Sequence, residues 1–394
     1  MTDPLERLHT PISGAELERR WAAVRSAMER EGLDALVMQN NNDHMGGAVK
    51  WFTDHPAVNG YPYTVLFYRD GGMTVVRHGP IGGDLTADPT LRGVDRILTT
   101  ASFVSAAYTA GYDGGLAGDD LAGHGARAIG LVCPGQMSTA LSESLRQRLP
   151  HAAFVEASDL VARIATVKSA EERELIRGTT ALQDRAMQAV VDAIAPGMRE
   201  SDVAAVALHA SQLMGSEQGI YLTASGRPSE ALALAPRHMQ HRVLREGDVL
   251  WLLIENNGPG GMYSELGRMF VLGEPPAPLQ AELAFAAEAQ AYCASLLVDG
   301  AASADVWHSY NAYLREHGRG EERRIHCHGQ GYDLVERPLI RFDDPDVVRA
   351  HTNLACHPDT RSNGASAWLC DNYLVQESGP PEHLHAFPAE LIVV

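Results

Sequence analysis

A chain of 394 residues with a formal net charge of −18 is a poor partner for nucleic acid, because neutralising phosphates takes clustered lysine and arginine. With 45% hydrophobic and 21% charged residues and no low-complexity tract, it has the composition of a globular enzyme of one large or two ordinary domains. The N-terminus "MTDPLERLHTPISGAELERRW" has no apolar core of signal-peptide type and no stretch reaches membrane-spanning length, so the expectation is a cytoplasmic protein with no membrane partner.

In chain order, "GAELERRWAAVRSAMEREGLDALVMQ" predicts an amphipathic helix ended by Gly32 and then a short buried strand. "PYTVLFYRDGGMTVVRHG" reads as two strands around a turn, a hairpin. Helix-like and strand-like segments alternate through "AIGLVCPG" and "AAFVEAS", which indicates an α/β domain over residues 1–160. From residue 161 to 394 the pattern changes. Ser169 and Glu172 form a capping box opening a long helix, and "PGMRESDVAAVALHASQLMGSE" is a second helix with Ser201 as its N-cap. Two more helices, "LQAELAFAAEAQAYCASLLVDG" and "SADVWHSYNAYLREHG", precede a closing set of strands, "RIHCHGQGYDL", "NLACHP", "AWLCDNYLVQES" and "ELIVV". Helices followed by antiparallel strands predict an α+β domain with a curved sheet.

Between these helices lies "DVLWLLIENNGPGGMYSELGRMF", an apolar strand, a glycine-rich turn and a return strand. It presents Glu255 and Glu265 across a hairpin, an arrangement suited to a metal or to an acid–base pair, although two solvated surface acids would look the same. The five cysteines, Cys133, Cys293, Cys327, Cys356 and Cys370, have no paired spacing, which argues against a disulfide framework. Three of them fall among histidines near the C-terminus.

The stretches "KSAEERELIR", "PGMRESDVAA", "LREGDVLWLLI", "MYSELGRMF", "CHGQGYDLVERP" and "CDNYLVQESGPPEHLHAFPAEL", in this order, resemble the creatinase, methionine aminopeptidase and prolidase superfamily. The resemblance implies a pita-bread catalytic domain preceded by a smaller creatinase-like α/β domain. It also implies a homodimer, in which the small domain covers the neighbour's active-site mouth. The metal-dependent peptidases of this superfamily hold two ions with two aspartates, one histidine and two glutamates. Carried over, the first aspartate falls on Glu255, with Asn256 as the alternative because the spacing is one residue short. The second falls on Glu265, the histidine on His328, and the two glutamates on His357 and Cys370.

Two hard cations bridged by carboxylates need several negative oxygens, and imidazole and thiol at His357 and Cys370 remove them. A dinuclear centre is therefore not expected. Creatinase also departs from the ligand set and works without metal, so the favoured reading is a metal-free, creatinase-like hydrolase cleaving a C–N bond in a small non-peptide amidine or amide. In it His328 carries the proton, Glu255 or Glu265 orients it or attacks, and Cys370 is a second nucleophile if a nearby imidazolium lowers its pKa. The alternative is one divalent ion such as zinc on Glu265, His328, His357 and Cys370, with hydrolase, lyase or Xaa-Pro peptidase-like activity. A non-catalytic binding module is the reading of another class, and the retained titratable residues argue against it.

His326 and His328 alternate and so would share a face toward the cleft. His238, with His241 competing, sits near a substrate-binding histidine of the family, and Arg337 and Arg341 are candidates for holding a substrate carboxylate. Arg268 is expected to pair with a structural carboxylate, and Glu336 to be a buried partner of its loop. Trp51 and Tyr61 lie in a loop that caps the partner's cleft in creatinase-like dimers.

Overall fold

The computed structural model describes residues 3–42, 44–58, 60–85 and 88–394. Two compact units divide the chain, Met1–Ala165 and Thr166–Val394. The first begins with helix α1 (Gly14–Glu31), where Ser13 accepts from the Glu16 N–H and Gly32 closes the helix in the left-handed region. Leu17, Val24 and Met28 recur on one face and are fully buried. Strands β1 (Ala35–Asn40), β2 (Tyr63–Tyr68), β3 (Met73–His78), β4 (Gly83–Leu85), β5 (Val94–Thr100), β6 (Ala128–Val132) and β7 (Ala153–Glu156) form one sheet in the order β4-β5-β3-β2-β1-β6-β7. Strands β2 and β3 are the antiparallel hairpin read from the sequence. Helices α2 (Gly47–Thr53), α3 (Tyr112–Gly123) and α4 (Thr139–Arg148) complete the unit. The expected boundary at residue 160 falls inside helix α5 (Ser158–Thr166), and the chain divides at the end of that helix.

The second unit is the pita-bread fold, an α+β arrangement of two mixed layers of helices and strands. It opens with α6 (Ala170–Ala193), whose capping box of Ser169 and Glu172 is present. The next helix, α7 (Glu200–Leu213), starts earlier than expected. Ser201 lies inside it, and the chain enters through Arg199, whose N–H donates to the Asp202 carboxylate at 2.7 Å. Strands β8 (Gly219–Gly226), β9 (Val249–Asn257) and β10 (Tyr263–Val271) pair in sequence, and β18 (Ile392–Val393) joins the far edge. Helices α8 (Ala277–Leu296) and α9 (Ser303–Glu316) follow. A second sheet takes the order β12-β11-β13-β16-β17, from β11 (Cys327–Gly329), β12 (Glu336–Leu339), β13 (Asn353–Cys356), β16 (Asp371–Leu374) and β17 (Glu382–His383). Strands β14 (Asp359–Ser362) and β15 (Ala365–Trp368) form a separate hairpin.

Burial of β9 on both faces explains its unbroken apolar run. Leu250, Leu252 and Ile254 pack toward α6 and α7, whereas Val249, Trp251 and Leu253 pack with α8, Ala355 and Trp368. The two sheets meet where Gly267 and Cys370 exchange backbone hydrogen bonds of 3.0 and 3.2 Å. Only glycine permits this approach, since a Cβ on Gly267 would stand 2.2 Å from the Trp368 ring. Among the described residues, no helix is long and apolar enough to cross a membrane.

Candidate active site

Strand period decides which residue of "LLIENN" belongs to the site. Asn256 continues the series of Leu252 and Ile254 toward α6, where Gln183 Nε2 donates to its side-chain oxygen at 2.8 Å, and its own amide donates to Ser216. Glu255 continues the series of Trp251 and Leu253 and lies directly across from Glu265 in the β9–β10 register. Both carboxylates therefore face the second sheet, and Asn256 is not the site residue. On that sheet His328 is cross-strand partner to Ala355, which packs in the same cluster as Trp251, so the imidazole meets the glutamates.

The side chains of Glu265, His328 and His357 converge, with ligating atoms within 4.8 Å of one another. His328 Nε2 stands 3.3 Å and His357 Nε2 4.0 Å from Glu265 Oε1, and the two rings are 5.2 Å apart, edge to face. His328 Nδ1 lies 3.0 Å from the Gly329 carbonyl, which places a hydrogen on Nδ1 and turns the Nε2 lone pair toward the carboxylate. Contact with His328 does not have hydrogen-bond geometry. Among the described residues, Glu265 Oε1 is buried without any hydrogen-bond partner. Two acceptors face each other across a short gap, and such a gap calls for a positive charge, either a proton or a cation.

The electrostatics split the two glutamates. Burial, then the charge of Glu265, pushes the Glu255 carboxyl well above the usual range, opposed only by Gln330. Burial acts the same way on Glu265, but contact with His328, the nearby His357 and Cys370 outweigh it and hold its pKa below the ordinary value. The two environments push the pair apart, Glu255 toward its protonated form and Glu265 toward the carboxylate. Burial works to lower the His328 pKa, yet Glu265 and the Gly329 carbonyl raise it overall. For His357 burial prevails over Glu265 and brings the pKa down to about 4, so this imidazole is neutral at physiological pH.

Cys370 is not an activated nucleophile. Burial, then Glu265, Asp371 and Glu255, drives its thiol well above the ordinary range, and the expected imidazolium is replaced by carboxylates. Its Sγ sits 3.7 Å from the Glu265 backbone oxygen, and it is not part of the converging metal-ligand group. His326 does not share the face of His328. It precedes β11, is fully buried, and stacks on Tyr310 at 4.2 Å, out of reach of a substrate. His238 is exposed on a one-turn 3-10 helix, as is His241 just beyond it. Arg337 is held by Asp346, and Arg341 makes two 2.7 Å bonds to Asp343, so local carboxylates already occupy both guanidinium groups. Arg268 lies against Asp371 at 2.7 Å and donates to the Phe387 carbonyl, and Glu336 takes Lys168 at 2.6 Å. Trp51 is buried beside Phe52, whereas Tyr61 is exposed against His78.

A set of neutral amides escaped the sequence reading. Gln330 Nε2 donates to Glu255 Oε1 at 3.3 Å and to the Leu334 carbonyl at 3.1 Å, and Asn372 donates to Gln330 at 2.9 Å and to Asn353 at 3.0 Å. The Asn372 oxygen accepts the Glu265 N–H at 2.7 Å. This chain positions both glutamates from the second sheet. The one signal in sequence was the position of Gln330, two residues after His328 and just past the end of β11.

The pattern of metallopeptidase family M24 matches residues 174–377. An uncharacterized hydrolase/peptidase of Sinorhizobium fredii is 25% identical over 354 residues, covering 87% of each chain. A probable dipeptidase PepE of Mycobacterium tuberculosis is 28% identical over 61% of this chain, and an Xaa-Pro dipeptidase of Pyrococcus furiosus 24% over 57%. Both alignments span 64% of the relative's length. In structure, the X-Pro aminopeptidase of Thermotoga maritima superposes with a TM-score of 0.80 at 18% identity, covering 95% of this chain and 99% of that one. Dipeptidase PepE of Mycobacterium ulcerans gives 0.77 at 21%, covering 98% and 99%.

Proposed function

We propose that this chain, which belongs to metallopeptidase family M24, hydrolyses the C–N bond of a small, dipeptide-sized amide with one divalent cation held by Glu265, His328 and His357. The observation that carries the reading is the buried Glu265 Oε1, without a hydrogen-bond partner among the described residues, facing the Nε2 atoms of His328 and His357. Two imidazoles and a carboxylate are a catalytic zinc set, and equally a set for iron with open positions. The donors fit: His357 is neutral, His328 is fixed in the required tautomer, and Glu265 is ionised. A dinuclear centre does not fit, because the positions to which the family resemblance assigns two carboxylates hold an imidazole, His357, and Cys370, whose thiol burial holds protonated. The amide substrate class rests on the dipeptidases among the relatives.

A cation bound there would supply Lewis-acid polarisation of the amide carbonyl and a hydrolytic nucleophile at neutral pH. Glu265 contributes the compensating charge. Glu255, protonated across the hairpin, gives its proton to the leaving amine nitrogen, and Gln330 holds it in orientation. Hydrolysis without an ion is a second reading, supported by the raised pKa of His328, which makes a proton carrier of it. Elemental analysis of the purified protein, with activity on a dipeptide and small-amide panel before and after chelation, separates the two. The first reading expects activity that follows a divalent ion in the Glu265 site, lost on chelation and restored by that ion. Full activity in a chelated, ion-free protein would overturn it.

A further inference from the structure

Cys327 and Cys356 stand in register on neighbouring strands, each followed by a histidine, His328 within β11 and His357 just past the end of β13. Alternation sends the imidazoles to the glutamate face and both thiols to the opposite face, where they pack with α8 and α9. Helix α8 brings a third thiol, Cys293, and the three sulfurs lie within 4.8 Å of one another. All three residues are fully buried and none forms a disulfide. Sulfurs around a tetrahedral zinc, with bonds of about 2.3 Å, sit about 3.8 Å apart, so a small contraction suffices. Gln290, one turn before Cys293, donates to the Cys356 carbonyl at 2.8 Å and ties the helix to the strand.

Three thiols alone would be ordinary core packing. The polar groups beside them are not. His326 is fully buried against Cys293, and among the described residues neither of its ring nitrogens has a hydrogen-bond partner. Tyr310, stacked on that ring, stands near Cys293 and Cys356, and its buried hydroxyl is likewise without a partner. Native interiors rarely leave so many polar atoms unsatisfied in one place.

We infer that Cys293, Cys327 and Cys356 form a second metal site, a three-sulfur centre for a thiophilic divalent cation such as zinc, with His326, which lies against Cys293 but outside the converging group, as the side chain that shifts to complete it. Binding replaces the thiol protons, which leave to solvent, and engages one orphaned nitrogen of His326. The Tyr310 hydroxyl is placed to donate to a thiolate of the centre. With His326 as the fourth protein ligand no open position is left, and the centre is fully buried, so the role is structural. The centre shares β11 and β13 with the candidate active site and fixes the two strands that present His328 and His357 on their other face.

The test uses the full chain, stripped of metal under reducing conditions and titrated with cobalt(II) alone. The expected result is a near-ultraviolet thiolate-to-cobalt band displaced by zinc and weakened by about one third, one thiolate in three, in Cys293→Ser or Cys327→Ser. Cys370→Ser and Glu265→Gln should leave the band in place, so the loss of the Glu265 site and the loss of this one are told apart. No band in the folded protein, or a band that survives both cluster variants and disappears with Cys370→Ser, overturns the inference. Should the serine variants not fold, zinc-edge absorption on the wild-type protein decides. Sulfur scatterers at about 2.3 Å support the site, and a shell of nitrogen and oxygen alone refutes it.

Discussion

Replacing Glu255 by glutamine probes the split between the two glutamates. The side chain is buried and its pKa is raised toward the protonated form, so a neutral amide of the same shape stands close to what the site favours. The one hydrogen bond it accepts, from Gln330 at 3.3 Å, is long, and the new amide oxygen can still receive it. Loss of that bond altogether would cost about 1 kcal/mol. Against this, the folded pKa of Glu255 is raised by burial and then by Glu265, so ionising it opposes folding. Stability from such a group is fully present below its unfolded pKa and is lost as pH rises through the folded one. Glutamine has no such loss, so the variant should melt at or above the wild-type temperature near neutral pH, and its stability should fall less as pH rises. Activity should behave oppositely. Removing a general acid lowers kcat by about 100- to 10,000-fold, or about 2.7 to 5.4 kcal/mol in the barrier. Thermal melts from pH 5 to 9, steady-state kinetics on the amide panel and metal content form the assay. Near wild-type turnover, or loss of the bound ion, would refute the reasoning, since the first removes the acid role and the second makes Glu255 a ligand.

Removing Asp371 as Asp371→Ala strands the buried Arg268 guanidinium and should cost about 3–5 kcal/mol in chemical denaturation. Burial alone would raise the Asp371 pKa, but Arg268 and His383 hold it far below the carboxylate range, so its contribution is present above the unfolded value and is lost as pH falls. An Asp371→Asn variant should therefore show a flatter acid limb of stability than the wild type, and an identical limb would count against the pairing. From the family resemblance, the protein should be a homodimer, with light scattering giving twice the 42.6 kDa chain mass, and a value near one chain would contradict that. Glu265→Gln should abolish binding at the candidate active site in cation titrations of the stripped protein, and unchanged affinity there would sink the assignment.

The hairpin was legible because its chemistry is local. A strand, a glycine turn and a return strand place Glu255 against Glu265 whatever the remainder of the chain does. The choice between Glu255 and Asn256 was not, since it depends on which face of β9 meets α6, and that is a packing fact. His326 misled because alternation was extended one residue beyond β11, where the chain is no longer strand. Cys370 looked activatable by sequence proximity to histidines, but its neighbours in space are Glu265, Asp371 and Glu255. Arg337 and Arg341 are candidates in sequence for holding a substrate carboxylate, but carboxylates nine and two residues away already pair with them. The gathering of Cys293 with Cys327 and Cys356 needs α8 to lie across the second sheet, which no spacing records.

Anomalous diffraction at a metal edge, on crystals of the protein loaded with one kind of divalent ion, locates the cation at the Glu265 site or shows that none is there. The expected result is one peak at this site, within about 2.0–2.2 Å of a Glu265 carboxylate oxygen, His328 Nε2 and His357 Nε2, with Glu255 outside the coordination sphere. A pair of peaks bridged by Glu265 and Glu255, or no peak beside Glu265, would contradict it.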